Sequence, residues 1–571
     1  MSQYYIRGKK QVNLTQREFI AKGGEGSIYG KEDTIYKIYE DLKNMIPEAK
    51  IEELQVLNNP LIIKPKNIVL DSRKRVVGFT MNWIKNTIDL CKLFTNGFRK
   101  TNNFSDPTQL IENKRKVISE IHKSKCLIVD GNEFNFLVDN KTFSTPYFID
   151  VNSYQTPSFP ATAIMSSIRD YSCGNNFSEY SDWYSFAIIC CQLFVGIHPF
   201  RGKHPDFKKN DLQERMKANV SIFNKNTKIP PMARDLNLIP VNYKNWFVSL
   251  FENGKREFPP SLVGKIITIP FKILPSMKST DNFIISLIKE FGSEIFFYGV
   301  KNGITIVKTK EKIHLNYKEE YFVNPDVEVV FTPTWLTPIL IKIENKRLKF
   351  KSLGDKIEKL DIECTEKMIV ENTLYVRNEG KLIEISVDNM GKKMDRKVIP
   401  SIKSVWDIIP YSSKMFSNVI YQNIMGNPYL GIPIPKIGEP SSFIEINIPE
   451  LEGYKIVDAK YESHVCVIVG HSHKSGQYDR LILRFDKNFK TYDHRVIEDI
   501  NYTTINFVVL DNGIAVSINE DDIMEIFSNN IKNKEVKSIT DPEINNNLKL
   551  CKSGMKLMFF QDNKIYRIQI K

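Results

Sequence analysis

Apolar and polar positions follow one rhythm up to about residue 265 and another after it. In the first stretch strand-like and helix-like patterns alternate. Gln16–Tyr39 reads as strands around a glycine turn, and Pro47–Leu57 follows with helical spacing. There Ile51, Leu54 and Leu57 share a face, Glu48 and Glu52 recur four residues apart, and Pro47 falls in the first turn, where proline is tolerated. Further helices are predicted over Pro107–Lys123 and Ser181–Val195. The second is apolar nearly all round and therefore expected at the centre of a core.

After about residue 270 the pattern turns to short apolar or alternating runs. Strands are predicted at Glu294–Val300, Gly303–Thr309, Val327–Thr332, Ile339–Ile343, Thr373–Arg377, Lys381–Val387, Leu481–Phe485 and Lys564–Ile570. Turn signals such as Asn302-Gly303, Glu379-Gly380 and Asp511-Asn512-Gly513 separate them. Many short strands without long helices predict an all-β domain over residues 266–571. At roughly 40–50 residues per blade its length suits a six- or seven-bladed β-propeller, although no W-D or kelch signature is present.

Composition changes this picture little. Eighty Lys and Arg against 67 Asp and Glu leave a formal charge of +13. The surplus is dispersed, which reads as a solvated lysine-rich surface; nucleic acid is a weakly supported partner. Eight cysteines form no C-x-x-C pair, so neither a zinc ribbon nor a redox motif is expected, and Cys190 and Cys191 read as buried thiols. The start of the chain lacks the apolar core of a signal peptide, and the longest apolar run, Phe186–Ile197, is too short to span a bilayer. No membrane partner is expected, and a reducing cytoplasm, with a phage-infected bacterium as one setting, is the simplest address.

The chemistry-bearing residues lie in the first stretch. Gly24-Glu25-Gly26-Ser27-Ile28-Tyr29 sits between strands, where glycines allow a backbone to approach a triphosphate closely. Lys37 lies among apolar neighbours in Thr34–Tyr39 and needs an anionic partner. Asp130 precedes Asn135 by five residues, a carboxylate and an amide suited to positioning around Mg²⁺; by itself the segment also reads as an Asx-rich loop capping a strand. Asp150 ends the apolar strand Tyr147–Asp150.

In this order and spacing the motifs resemble the protein kinase superfamily, and more narrowly a bacterial and phage branch of kinase-like proteins. The resemblance covers residues 15–262. It implies an α+β two-lobe domain over 1–265, with an N-lobe of about 1–84 and a C-lobe of about 85–265. It implies ATP and Mg²⁺ as cofactors. Gly24, Gly26 and Lys37 would hold the phosphates, with Glu48 (Glu52 as second choice) pairing with Lys37. Asp130 would accept the attacking hydroxyl's proton, and Asn135 and Asp150 would bind metal. Asp182 would open a central helix that anchors the catalytic loop, and Arg256 would pair with a buried carboxylate. Members of the branch can carry a β-rich C-terminal half.

Three departures stand out. Val129 occupies the place of the arginine before the catalytic Asp, Asn152 replaces the glycine of D-F-G, and no A-P-E is evident, Arg169-Asp170-Tyr171 being a poor stand-in. The implied activity is Ser/Thr protein phosphorylation, with the β-rich domain recruiting a protein substrate or assembly partner. The rivals are a pseudokinase scaffold, as in a phage particle, and AMP transfer in a reversed nucleotide pose. Of the remaining residues, His122 is expected to pack or cap a helix end. His471 and His473 are expected in a surface loop, and Lys301, Lys308, Lys310 and Lys312 on a solvated face.

Overall fold

The computed structural model describes all residues except 1, 9, 10, 24, 162, 163, 209, 210, 261–276, 318, 323–325, 392–395 and 437. The protein is mostly β, with few helices and many sheets. Two compact units emerge. The first comprises Met1–Phe271 together with His471–Tyr478 and Glu498–Thr504; the second comprises Lys272–Gly470, Asp479–Ile497 and Ile505–Lys571. The change of domain expected near residue 265 lies outside the described residues.

The first unit opens with a seven-stranded antiparallel sheet. Gly26–Lys31 pairs with Thr34–Tyr39 through a tight turn, which sets Ile28 opposite Lys37. A side chain at Gly26 would have no room, because its Cβ would lie 2.2 Å from the Ile38 carbonyl oxygen. The helix expected over Pro47–Leu57 is shorter: an α-helix at Glu48–Glu53 and a 3₁₀ turn at Leu54–Val56.

The remaining helices pack around Glu179–Val195, every residue of which from Ser181 onward is buried. Its sequence marks both ends. Ser178 and Ser181 exchange hydrogen bonds at the N-terminus, and Gly196 at φ +85° takes the left-handed cap position open to glycine. Thr108–Lys123 lays Leu110, Ile111, Val117, Ile118 and Ile121 against the same core at helical spacing. Cys190 and Cys191 are buried there as free thiols. No helix among the described residues is long and apolar enough to cross a membrane.

Among the described residues the second unit holds seven sheets of three to five strands, nearly all antiparallel between sequence neighbours. Among the described residues no α-helix follows Phe251. Asn302-Gly303 makes a two-residue hairpin between Ile295–Lys301 and Ile304–Thr309, as its turn chemistry predicts. Five sheets are local meanders, and a sixth is a meander to whose last strand, Lys397–Asp407, the short strand Lys356–Ile357 adds in parallel. The seventh joins the two ends of the unit: Phe283–Glu290 pairs with Lys564–Ile570, which continues through Lys556–Gln561 to Lys549–Ser553.

Two of the lysines expected on a solvated face are not there. Lys308 is buried and paired with Glu328 at 2.7 Å, and Lys301 donates to the Val329 carbonyl at 3.0 Å. An antiparallel register puts alternate residues against the next sheet, and each lysine found an oxygen partner there.

The closing sheet buries Phe283 completely, against residues that include Val516, Leu550, Phe559 and Tyr566. Phe283→Ala is expected to cost about 3–5 kcal/mol. A lower urea midpoint with an unchanged m-value checks this.

Candidate functional site

The site begins with one carboxylate. Asp182, in the first turn of the central helix, is almost wholly buried and accepts the backbone amides of Ile128 and Val129, each at 2.8 Å. Its Oδ2 also meets His122 Nε2 at 2.9 Å, and the His122 ring stands edge-on to Trp183. These bonds hold Val129 at φ +62°, a conformation that a β-branched residue rarely adopts. The reversal that follows presents Asp130.

Asp130 is buried, accepting the Met165 amide at 2.9 Å. Asn135 Nδ2 donates to the Asp130 carbonyl at 2.8 Å and lies 3.3 Å from its carboxylate. Asn132 caps the 3₁₀ turn Glu133–Asn135 by accepting the Phe134 amide. The Ile149 amide donates to the Asn135 carbonyl at 3.0 Å, which ties the Asp150 strand to the same turn. Burial, with Asp150 nearby, raises the Asp130 pKa against the pull of its hydrogen bonds.

Asp150 takes left-handed backbone, φ +55°, at the end of its strand. Its Oδ1 lies 3.3 Å from Lys37 Nζ, and Glu25 Oε2 meets the same ammonium at 2.8 Å. Burial alone would lower the Lys37 pKa; the nearby Asp150 and Glu25 carboxylates and Tyr39 outweigh it, and the ammonium is held above its ordinary range. Asn152 is buried beside them. With its amide oriented to satisfy both neighbours, it donates to Asp150 Oδ1 (3.1 Å) and accepts from Lys37 (3.0 Å).

Lys37, Asp130, Asn135 and Asp150 are thus linked by hydrogen bonds through neighbouring backbone and side chains. Gly26 stands on the adjoining strand, while Gly24 lies outside the described residues. The pairing of Lys37 with Glu48 is corrected. Helix Glu48–Glu53 buries Lys50 and Ile51, so Glu48 faces outward and clasps Arg7, with Nη2–Oε1 at 2.9 Å. Glu52 is exposed. Lys50 turns inward together with Ile51, and its Nζ donates to the Pro160 carbonyl at 3.0 Å.

Sequence reasoning assigned no partner to Glu25, Asn152, Glu133 or Asp170. Glu25 had a signal, a carboxylate between two glycines beside a strand carrying a buried lysine. Asp170 accepts both arms of Arg256, at 2.6 Å each, and is the buried carboxylate expected to pair with it. Burial opposes its charge, but Arg256 and Ser172 hold its pKa below the ordinary carboxylate range. His471 is also corrected. It is buried, with its ring 4.1 Å from that of Phe134, because the turn that carries it belongs to the first unit.

Among the described residues no three His, Cys, Asp or Glu side chains gather closely enough to hold a metal ion alone. The pair Asp150 and Asn135 suits Mg²⁺, which keeps waters and takes one or two protein oxygens plus phosphate oxygens.

No protein-family model matches the chain, and no curated protein does. Among solved structures it is similar to a twitchin kinase fragment from C. elegans, described as an autoregulated protein kinase with immunoglobulin domains, at 12% identity and a TM-score of 0.31. The match covers 45% of this chain and 55% of that one, so the chain spans about half the length of that fragment. A likeness of that size decides neither fold nor function.

Away from these site residues, buried His198 donates from Nε2 to the Ser167 carbonyl at 2.7 Å and accepts the Phe200 amide at Nδ1. Burial pushes its pKa down to about 3. The unfolded chain therefore binds the extra proton between about pH 6.5 and 3, and stability must rise with pH across that window. Thermal midpoints are expected to fall as pH drops below about 6.5, with a shallower slope in His198→Gln.

Proposed function

We propose that the first unit is a protein-kinase-like, ATP-dependent phosphotransferase acting on a Ser or Thr hydroxyl of a protein. The observation that carries this reading is the fixing of Asp130 by the amides that Asp182 holds, with Asn135, Asp150 and Lys37 in the same network. The Asp170–Arg256 pair behind it adds support.

On this reading Lys37 receives the phosphates and leaves Glu25 to do so, while the strand from Gly26 covers them with main-chain amides. Asp130 orients the acceptor hydroxyl and takes its proton. Its hydrogen bonds from Met165 and Asn135 aim the carboxylate, and the raised pKa brings it nearer to the strength a base needs. Asp150 and Asn135 would hold Mg²⁺, which would supply neutralising charge for the phosphate oxygens. Catalysis of this kind is mainly positioning and electrostatics.

The seven sheets of the second unit, with first and last strands sharing one sheet, support a seven-bladed β-propeller. Recruitment of a protein substrate or assembly partner is the role we infer for it by analogy of fold.

A scaffold without turnover is the second reading, favoured by the Glu25–Lys37 pair, which occupies the phosphate-binding ammonium, and by Val129 before Asp130. Incubation with γ-labelled ATP and Mg²⁺, alone and with a cell lysate, separates the two. Label on protein that disappears in Asp150→Ala is expected. ATP-dependent thermal stabilisation without label would favour the scaffold, and label undiminished in Asp150→Ala would sink the assignment. The acid limb of the rate profile is expected above the ordinary Asp range, near 3.9, because the Asp130 pKa is raised; rates measured from pH 4 to 8 check this.

A further inference from the structure

The geometry points to His471–Tyr478 as a built-in positioning element for the catalytic loop, with Tyr478 its principal residue; this rests on the phosphotransferase reading above. The segment belongs to the first unit although it lies far along the chain. The Tyr478 hydroxyl donates to Glu133 Oε1 at 2.8 Å, and the Glu133 carboxylate is buried. Burial and the Glu133 charge keep the Tyr478 pKa far above its ordinary value, so the hydroxyl retains its proton for that bond.

The next residue is gripped as well. The Phe134 ring lies against His471 at 4.1 Å and near Tyr478 at 6.1 Å. Glu133 and Phe134 form the same short turn as Asn135, whose amide holds the Asp130 carbonyl. Displacement of that turn would move the proposed metal ligand and the proposed base together.

A second contact reaches Asp130 from the other side. Gly476, at φ +67°, closes the turn with its amide donating to the Ser472 carbonyl. A Cβ there would come within 2.9 Å of Met165 Cγ. The Met165 amide is the donor to Asp130 Oδ1. One eight-residue segment therefore touches both supports of the proposed base.

The segment is itself anchored. Arg201 donates to Gln477 Oε1 at 2.6 Å and pairs with buried Asp499, while the Ile500 amide donates to the Tyr478 carbonyl at 2.7 Å. In the sequence, Val129 stands where an arginine would let a phosphorylated loop order the catalytic loop. A covalently attached strut meets the same need permanently, without modification.

The test is Tyr478→Phe in the full chain, which removes one hydroxyl and little volume. Amide hydrogen exchange at residues 130–135 is expected to quicken by about tenfold or more, and kcat for phosphoryl transfer to fall by about tenfold with KM for ATP near wild type. A purely structural loss would lower the amount of active protein without that selective exchange. Exchange at 130–135 indistinguishable from wild type would overturn the proposal, and so would faster exchange with an unchanged kcat. If the wild-type protein transfers no phosphate, the phosphotransferase reading fails by itself, and exchange alone then decides whether Tyr478 orders the loop. Should Tyr478→Phe not fold, Gly476→Ala, which pushes on Met165, is judged by the same two readouts.

Discussion

A single carboxylate organises the candidate site. Hydrogen bonds to a charged acceptor contribute about 1.5–3 kcal/mol each, and Asp182 accepts two from consecutive amides besides its contact with His122. A left-handed valine costs of order 1–3 kcal/mol. The two amide bonds are large enough to offset that strain, so Val129 stays reversed and Asp130 follows it into place. The central helix, apolar on every side, makes this anchor immobile because nothing around it yields without opening the core.

The charges beside Asp130 are balanced more closely than a count of acids and bases suggests. Lys37 has Asp150, Glu25 and Asn152 about it, and Lys50 reaches a backbone carbonyl nearby. A buried ammonium needs such partners in the absence of any ligand. Glu25 reaches the ammonium from the loop before strand Gly26–Lys31, and Asp150 reaches it from beyond strand Pro146–Phe148.

Much of this was legible in the sequence. The apolar helix with its serine start and glycine end, the helix with core residues at positions 110, 111, 117, 118 and 121, and the Asn-Gly hairpin follow from local periodicity and turn chemistry. Spacing also picked out Lys37, Asp130, Asn135 and Asp150. It failed where the outcome depended on which way a short element turns. A six-residue helix can bury one face only, and tertiary packing chose Lys50 and Ile51, which left Glu48 to Arg7. His471 read as a polar turn because its neighbours Ser472, His473 and Lys474 are polar. Its partner Phe134 is hundreds of residues away, and no periodicity reports such a contact.

The closure of the second unit by Phe283–Glu290 against Lys564–Ile570 has a consequence for the order of events during synthesis. The strand that seals the unit is made long after its partner, so Phe283–Glu290 must wait with one edge open until Lys564–Ile570 has been synthesised. The first unit waits too, since His471–Tyr478 and Glu498–Thr504 complete it. A nascent chain therefore carries Asp130 and Lys37 long before it carries Tyr478. Translation itself delays the assembly of the site until segments far along the chain from Asp130 have been made.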